Sequence, residues 1–389
     1  MSELYELPKG WEWKKLGDLA EYVNGMAFKP TDFSDTGYPI IRIQNLNGKT
    51  NYNYFNGEAK EKYYVKDGDI LISWSASLDV YKWDGGDAIL NQHIFNTNIN
   101  LDTVNYDFFY HTIKYSLAEI MKNSHGVGMK HITKGKFENI DIPLPPLQEQ
   151  KRIVSKLNTL FEKIDKSIAL HQKNMDEANV FMGSVLNDIF GELEEQHKKV
   201  KLSTVIKIIG GGTPSKKEKS YWDNGSIKWA TVGDMNVETI TNTELSITED
   251  GLKNSSSNII PKEAIIIATR VGLGKVCYLN DDTAINQDLK GLLPLTDKLN
   301  IRFLFNYFKN IKKFIISNGT GATVKGVKLD FVKELLIPFP SQNIQQKTVA
   351  YLDEISQKIE KIKSVQKEKM ESLIALKASI LDQAFRGKL

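Results

Sequence analysis

Two stretches of the chain repeat apolar residues at alternating steps of three and four. The first runs from Leu147 to Phe190. Its seam is Ile153, Leu157, Leu160, Ile164, Ile168, His171, Met175, Ala178, Met182, Val185 and Ile189. The second runs from Ile344 to Phe385, with Leu352, Ile355, Ile359, Ile362, Gln366, Lys369, Leu373, Leu376 and Ile380. This period predicts two long helices with coiled-coil seams, the first carrying one stutter. At a rise of 1.5 Å per residue each is a rod of roughly 60 Å, too long for one small core to bury. Each rod therefore needs a partner, and the nearest equivalent surface is the other rod, in an antiparallel pair. His171 and Gln366 hold the same position in the two seams. They either fix the register of the pair or lie at its solvent edge. Phe161, Phe181 and Leu186 are expected on the outer faces.

Outside the rods the pattern shortens. Strand-like runs at Pro39–Ile43, Asp69–Ser73 and Ala88–Leu90 are separated by Gly, Asn and Asp, and apolar residues at helical spacing follow over 105–123. The order then recurs. Lys15–Leu19 matches Lys201–Val205 at an offset of 186, Asn45–Asn47 matches Asp234–Asn236 at 189, and Asn91-Gln92 matches Asn286-Gln287 at 195. The prolines before the two rods, Pro143 and Pro338, are also 195 apart. The chain is a tandem duplication with small insertions in the second copy. The expected fold is mixed α+β: two mixed α/β domains and two long helices, the helices an antiparallel coiled coil with pseudo-twofold symmetry. The predicted parts are a domain over 1–145, a long helix over 146–192, a second domain over 193–340 and a second helix over 341–389.

At 389 residues more than one domain is expected. No run of about 18 apolar residues is present, so no transmembrane helix is expected. The N-terminus has neither the basic nor the apolar region of a secretory signal. The lone cysteine, Cys277, excludes an internal disulfide, suits a reducing cytoplasm and reads as a packing residue. The net charge of +3 decides little, because basic residues act through local clusters.

Catalytic and metal-binding patterns are weak. Gly210-Gly-Gly-Thr-Pro-Ser-Lys216 lacks the second Gly before Lys that a phosphate loop needs. There is no HExxH, no cysteine pair, no histidine cluster, and no Asn-Pro-Pro-aromatic run for amino-group methylation. No metal site and no catalytic residue is assigned. The polar loops do carry the side chains that read base edges and hold phosphates. The candidates in the first copy are Arg42, Gln44, Asn45, Trp74, Lys130, His131 and Lys134; in the second they are Thr213, Lys216, Lys217, Thr231, Arg270, Lys275, Thr323 and Lys325. The glycine loops Ser124–His131 and Ser317–Lys325 are the strongest of these, since close approach to a backbone of phosphates favours residues without Cβ.

The chain resembles the specificity (S) subunit of type I restriction-modification systems along its whole length. Leu7-Pro-Lys-Gly-Trp11 with Leu16-Gly17-Asp18 carries the resemblance, as do Gly211-Gly-Thr-Pro-Ser215 with Tyr221-Trp222 and Trp229. So do Ile142-Pro-Leu-Pro-Pro-Leu-Gln-Glu-Gln-Lys-Arg-Ile153 and the terminal Ala378-Ser-Ile-Leu-Asp-Gln-Ala-Phe-Arg-Gly387. The second copy departs from the pattern at Pro340-Ser-Gln-Asn-Ile344. The resemblance implies a non-catalytic, cytoplasmic subunit with no cofactor of its own. Each domain would read one half of a split double-stranded DNA target, and the helices would set the unread spacer. Its implied partners are two modification subunits, which bind S-adenosylmethionine and methylate adenine, and two restriction subunits, which use ATP and Mg²⁺. The alternatives are a stand-alone methyltransferase or nuclease, which lacks its motifs here, and a coiled-coil scaffold with no DNA role.

Overall fold

The computed structural model describes residues 5–75, 77–123, 132–321 and 325–389. It separates into two units. The first comprises Met1–His171 with Glu368–Leu389, and the second comprises Gln172–Lys367. Each long helix, Leu147–Gln196 and Gln342–Phe385, contributes one part to each unit.

In the first unit, strands Ala20–Asn24, Ile94–Ile99, Ile70–Ser73 and Asp79–Lys82 form one antiparallel sheet in that spatial order. A second sheet has the order Asn53–Phe55, Tyr38–Ile41, Ala88–Leu90, Tyr64–Val65, and its central pair is parallel. The second unit repeats both. Ile206–Gly210, Leu289–Pro294, Ile265–Ala268 and Val276–Leu279 form the antiparallel sheet, extended by the short parallel strand Thr239–Ile240. Leu245–Ile247, Ile227–Ala230, Thr283–Ile285 and Asn258–Ile260 form the other, again with a parallel central pair. The added strand lies in one of the stretches where the second copy is longer. The alternation of the sequence had located the strands at 70–73 and 88–90. It had not indicated the parallel pairing, because a sequence period reports facing, not direction.

Each unit has one docking helix, Tyr106–Asn123 or Ile301–Asn310. Both are capped by an asparagine. The Asn105 side chain accepts from the amides of Asp107 and Phe108, and that of Asn300 accepts from Arg302 and Phe303. A buried glutamine on the following rod ties this cap down. Gln150 accepts from the Asn105 amide and donates to the carbonyls of Thr103 and Pro145. Gln345 makes the same three bonds, with the Asn300 amide and the carbonyls of Lys298 and Pro340. Both glutamines are 0% exposed. The departure at Pro340–Ile344 therefore does not alter how the second rod starts: the glutamine, not the Pro-Pro-Leu-Gln-Glu phrase, makes the connection.

The far end of the other rod completes each core. Phe385 packs on Phe108 and stacks on Tyr115 in the first unit, and Phe190 packs on Phe303 and Tyr307 in the second. In the first unit the two rod segments run antiparallel. Arg152 donates to the carbonyl of Leu389, and further along Asp165 pairs with Lys377. In the same unit the Tyr5 hydroxyl donates to the carbonyl of Phe385. In the second unit Leu186, Phe190 and Leu193 share a core with Val349 and Leu352.

The first seam follows the predicted line through Leu157, Leu160, Ile164, Ile168, His171 and Met175, all buried or half-buried. Two expectations about outer faces are corrected: Leu186 is 4% exposed, and Phe161 packs against the core while Phe181 stays open. The second seam is corrected more deeply. Leu352, Ile355 and Ile359 lie on it, as do Gln366 and Leu373. Ile362 and Leu376 are 47% and 48% exposed, and Lys369 is exposed too. The half-buried positions between them are Lys363, Met370 and Lys377. The second rod holds two apolar stripes, and the buried one is completed by the aliphatic stems of lysines. Lys377 lies over the Phe161 ring at 4.8 Å while its ammonium pairs with Asp165 at 2.7 Å. The predicted line leaves the buried stripe at Ile362, Lys369 and Leu376 and keeps to it at Gln366 and Leu373. His171 and Gln366 are both half-buried.

Candidate nucleic-acid interface

The parallel central pair decides where the loops go. Two parallel strands release their chains at the same edge, so residues 42–47 and 91–93 emerge side by side in the first unit. The same holds for 231–236 and 286–288 in the second. Four backbone bonds gather the neighbouring loops there. In the first unit Asn91 donates to Ile41, Met26 to Leu90, Trp74 to His93 and Ile132 to Trp74, at 3.1, 2.7, 3.3 and 3.0 Å. In the second, Asn286 donates to Ala230, Gly212 to Ile285, Thr269 to Asp288 and Val327 to Thr269, at 3.1, 3.0, 2.9 and 2.9 Å. The bonds correspond one to one between the copies.

Glycine is required at this edge, though not where the sequence pointed. A Cβ on Gly25 would sit 2.3 Å from the Asn91 carbonyl oxygen, and one on Gly211 2.3 Å from those of Ile285 and Asn286. These glycines let loop and strand end touch. Of the glycine loops favoured from sequence, 124–131 and 322–324 lie outside the described residues, and with them Lys130, His131 and Thr323. The described flanks join the edge through Ile132 and Val327.

The edge sorts the remaining candidates. Asn45 is 7% exposed and fully engaged: its side chain accepts from the Arg42 amide and donates to the carbonyls of Lys49 and Asn51. Thr231 likewise caps a turn, with its amide and hydroxyl on Asp234 and its oxygen accepting from Gly233. Both candidates form turns here, and these bonds occupy their side-chain polar atoms. Lys275 is half-committed, with its ammonium 2.7 Å from the Asn236 side-chain oxygen. Gln44, Lys216, Lys217 and Lys325 are exposed. Lys134 is exposed beside Glu138 at 3.5 Å. Thr213 is bonded to Gln287. Arg270 lies 3.5 Å from Asp288.

Arg42 and Trp74 carry a different signal. The Arg42 guanidinium covers the Phe33 ring at 4.8 Å. Trp74 stacks on Phe95 and meets His93 edge-on, with ring centroids 5.8 and 5.3 Å apart. Among the described residues, the buried side-chain nitrogens and oxygens without a partner are Arg42 Nε, Trp74 Nε1 and His93 Nδ1. All three lie at this one edge. A buried donor without a partner costs folding free energy and calls for an explanation, and a ligand acceptor is one. Sequence reasoning missed His93, Gln287 and Asp288. Their signal was available: they follow the repeated Asn91 and Asn286 at the end of a strand.

Other features are structural. Cys277 is buried, and burial pushes its thiol up to about 12, so it stays protonated. Lys290, beside Asp288, has its ammonium pulled down by burial, and the Asp288 charge offsets part of that. Among the described residues no three His, Cys, Asp or Glu side chains converge as metal ligands. No described helix is long and apolar enough to cross a membrane.

Comparison with known proteins gives a consistent result. The profile described as "Type I restriction modification DNA specificity domain" matches residues 8–175 and again 194–371. The chain is 24% identical to the type I restriction enzyme EcoBI specificity subunit of Escherichia coli, over 99% of this chain and 88% of that one. It is 26% identical to a putative MjaX specificity subunit of Methanocaldococcus jannaschii, over 100% and 96%. In structure it is similar to a chain solved in work on complex assembly and conformational transition of the type I R-M system. That match has a TM-score of 0.72 at 22% identity and covers 99% of this chain and 100% of that one; it bears on the fold alone.

Proposed function

The chain belongs to the type I restriction-modification DNA specificity family, and from that footing we propose that its two loop edges are the DNA-reading surfaces. Each reads one half of a bipartite, asymmetric double-stranded target. The observation that carries this reading is the loop edge itself. Its backbone bonds are the same in both units and Asn47, Asn91 and Gln92 recur as Asn236, Asn286 and Gln287, whereas Arg42, Gln44, Trp74, Ser75 and His93 are replaced by Thr231, Gly233, Thr269, Arg270 and Asp288. A fixed scaffold with variable side chains is what reading two different half-sites requires.

In this reading the subunit performs no chemistry. Methyl transfer from S-adenosylmethionine belongs to two modification subunits, and ATP- and Mg²⁺-dependent cleavage to two restriction subunits. The long helices set the unread spacer. Their open apolar residues, such as Leu170 and Ile374 in the first unit and Val180 and Phe181 in the second, offer the modification subunits a place to dock.

The test is a domain exchange. Residues 198–340 are replaced by the matching segment of another specificity subunit, and methylated adenines are mapped genome-wide in a host carrying the chain with its partners. One half of the recognised sequence changes and the other stays. A change in both halves, or in neither, overturns the reading.

A further inference from the structure

At the loop edge of the second unit the side chains bind one another. Thr213 donates its hydroxyl to Gln287, and the Gln287 amide donates to Asp288 Oδ2 at 3.4 Å. Arg270 Nη1 lies 3.5 Å from Asp288 Oδ1. Asp288 is fixed from behind, its carbonyl accepting from both the amide and the hydroxyl of Thr269. The carboxylate is the sheltered member and the guanidinium the open one, with side-chain exposures of 14% and 57%.

Among the described residues the first unit has no counterpart to this pair. Ser75 stands where Arg270 does, and His93 stands where Asp288 does, both at the 195-residue offset. The second edge therefore holds a paired cation and carboxylate where the first has a serine and a histidine.

A lone arginine on a DNA-facing edge binds any phosphate, which raises affinity for every sequence alike. A carboxylate held beside it repels phosphates and leaves the guanidinium's remaining N–H groups for a rigid pair of acceptors. Guanine presents such a pair, N7 and O6, in the major groove. The same carboxylate orients the Gln287 amide.

Resting on the DNA-reading function proposed above, we infer that Asp288 is a specificity-determining positioning residue. It withholds Arg270 from the phosphate backbone and presents it to a guanine edge in the half-site read by the second unit. Its presence lowers general affinity and raises discrimination.

Asp288→Asn keeps the shape and removes the charge. In the full chain assembled with its modification subunits, this variant binds random-sequence duplex more tightly. Its plot of log affinity against log salt steepens by about 0.9, the value of one added phosphate contact. Methylation mapping shows broadened base preference in the second unit's half-site and none in the other. Adding Arg270→Ala to Asp288→Asn returns the slope to the wild-type value. Arg270→Ala alone leaves the random-sequence slope unchanged and loses discrimination in that half-site, and this variant serves if Asp288→Asn does not assemble. The inference is overturned if Asp288→Asn leaves the slope unchanged, if both half-sites broaden, or if Arg270→Ala alone flattens the slope. A wild-type complex that marks no bipartite sequence would overturn the DNA-reading function itself. A bipartite wild type with a silent Asp288→Asn overturns only the role of Asp288.

Discussion

The loop edge of the first unit keeps three buried nitrogens without partners, on Arg42, Trp74 and His93, whereas the second unit closes Thr213, Gln287, Asp288 and Arg270 into a network. Both edges stand on the same backbone bonds and the same close-packed glycines. At the edge itself the two copies differ in side chains beyond the strand ends. Below the edge the tie to the rod is unchanged: Asn105 and Asn300 cap corresponding helices, and Gln150 and Gln345 make the same three bonds. A duplicated scaffold can change what it contacts only where no buried bond has to be kept.

The largest effect should come from the buried glutamines. Gln150→Leu and Gln345→Leu each remove the partner of one amide and two carbonyls, one of those carbonyls buried, a loss of roughly 2–3 kcal/mol. Denaturant titration of the full chain should give similar losses for the two. A loss at one and not at the other breaks the equivalence of the units.

A smaller effect separates them. His111 is 7% exposed, contacts Asn158 and Phe161, and burial lowers its pKa to about 4. Nearby Lys82 and Lys114 push it down further, while Asn158 and Asp107 oppose them. The unfolded chain takes up the proton first, so stability is flat above about pH 6.5 and falls as the pH drops from there towards 4. The loss in that window should be roughly 1–3 kcal/mol. The matching residue in the second unit is Asn306, which does not titrate. His111→Asn should flatten the pH profile in thermal melts, and an unchanged profile would place the acid sensitivity elsewhere.

The smallest effect concerns the second rod. Ile362→Ser should cost less than about 0.5 kcal/mol, and Ile359→Ser several times more. Equal losses in denaturant titration would put Ile362 back on the seam.

The rods and the duplication were legible because a period sustained over many turns outweighs local exceptions. So were the strands at 70–73 and 88–90, and a helix over 105–123. Beyond Ile359 the predicted seam was off at Ile362, Lys369 and Leu376, because lysine stems such as that of Lys377 pack as apolar groups while their charges reach solvent. Asn45 and Thr231 stood among the DNA-contact candidates because the residue types that contact DNA are also those that cap turns. Their bonds at Arg42 and Asp234 exist only once the chain is folded. His93 and Asp288 were passed over for a similar reason. Their importance comes from Trp74 and Arg270, which are distant in sequence and adjacent only across the sheet.

The buried glutamine also bears on transplantation. A second domain exchanged over 198–340 arrives with Lys298, Asn300 and Pro340 but finds Gln345 already in the recipient rod. Compatibility between donor and host then depends on one amide the donor does not bring. A donor whose cap and carbonyls match it is accepted whatever it reads, and one that does not match is rejected before it meets DNA.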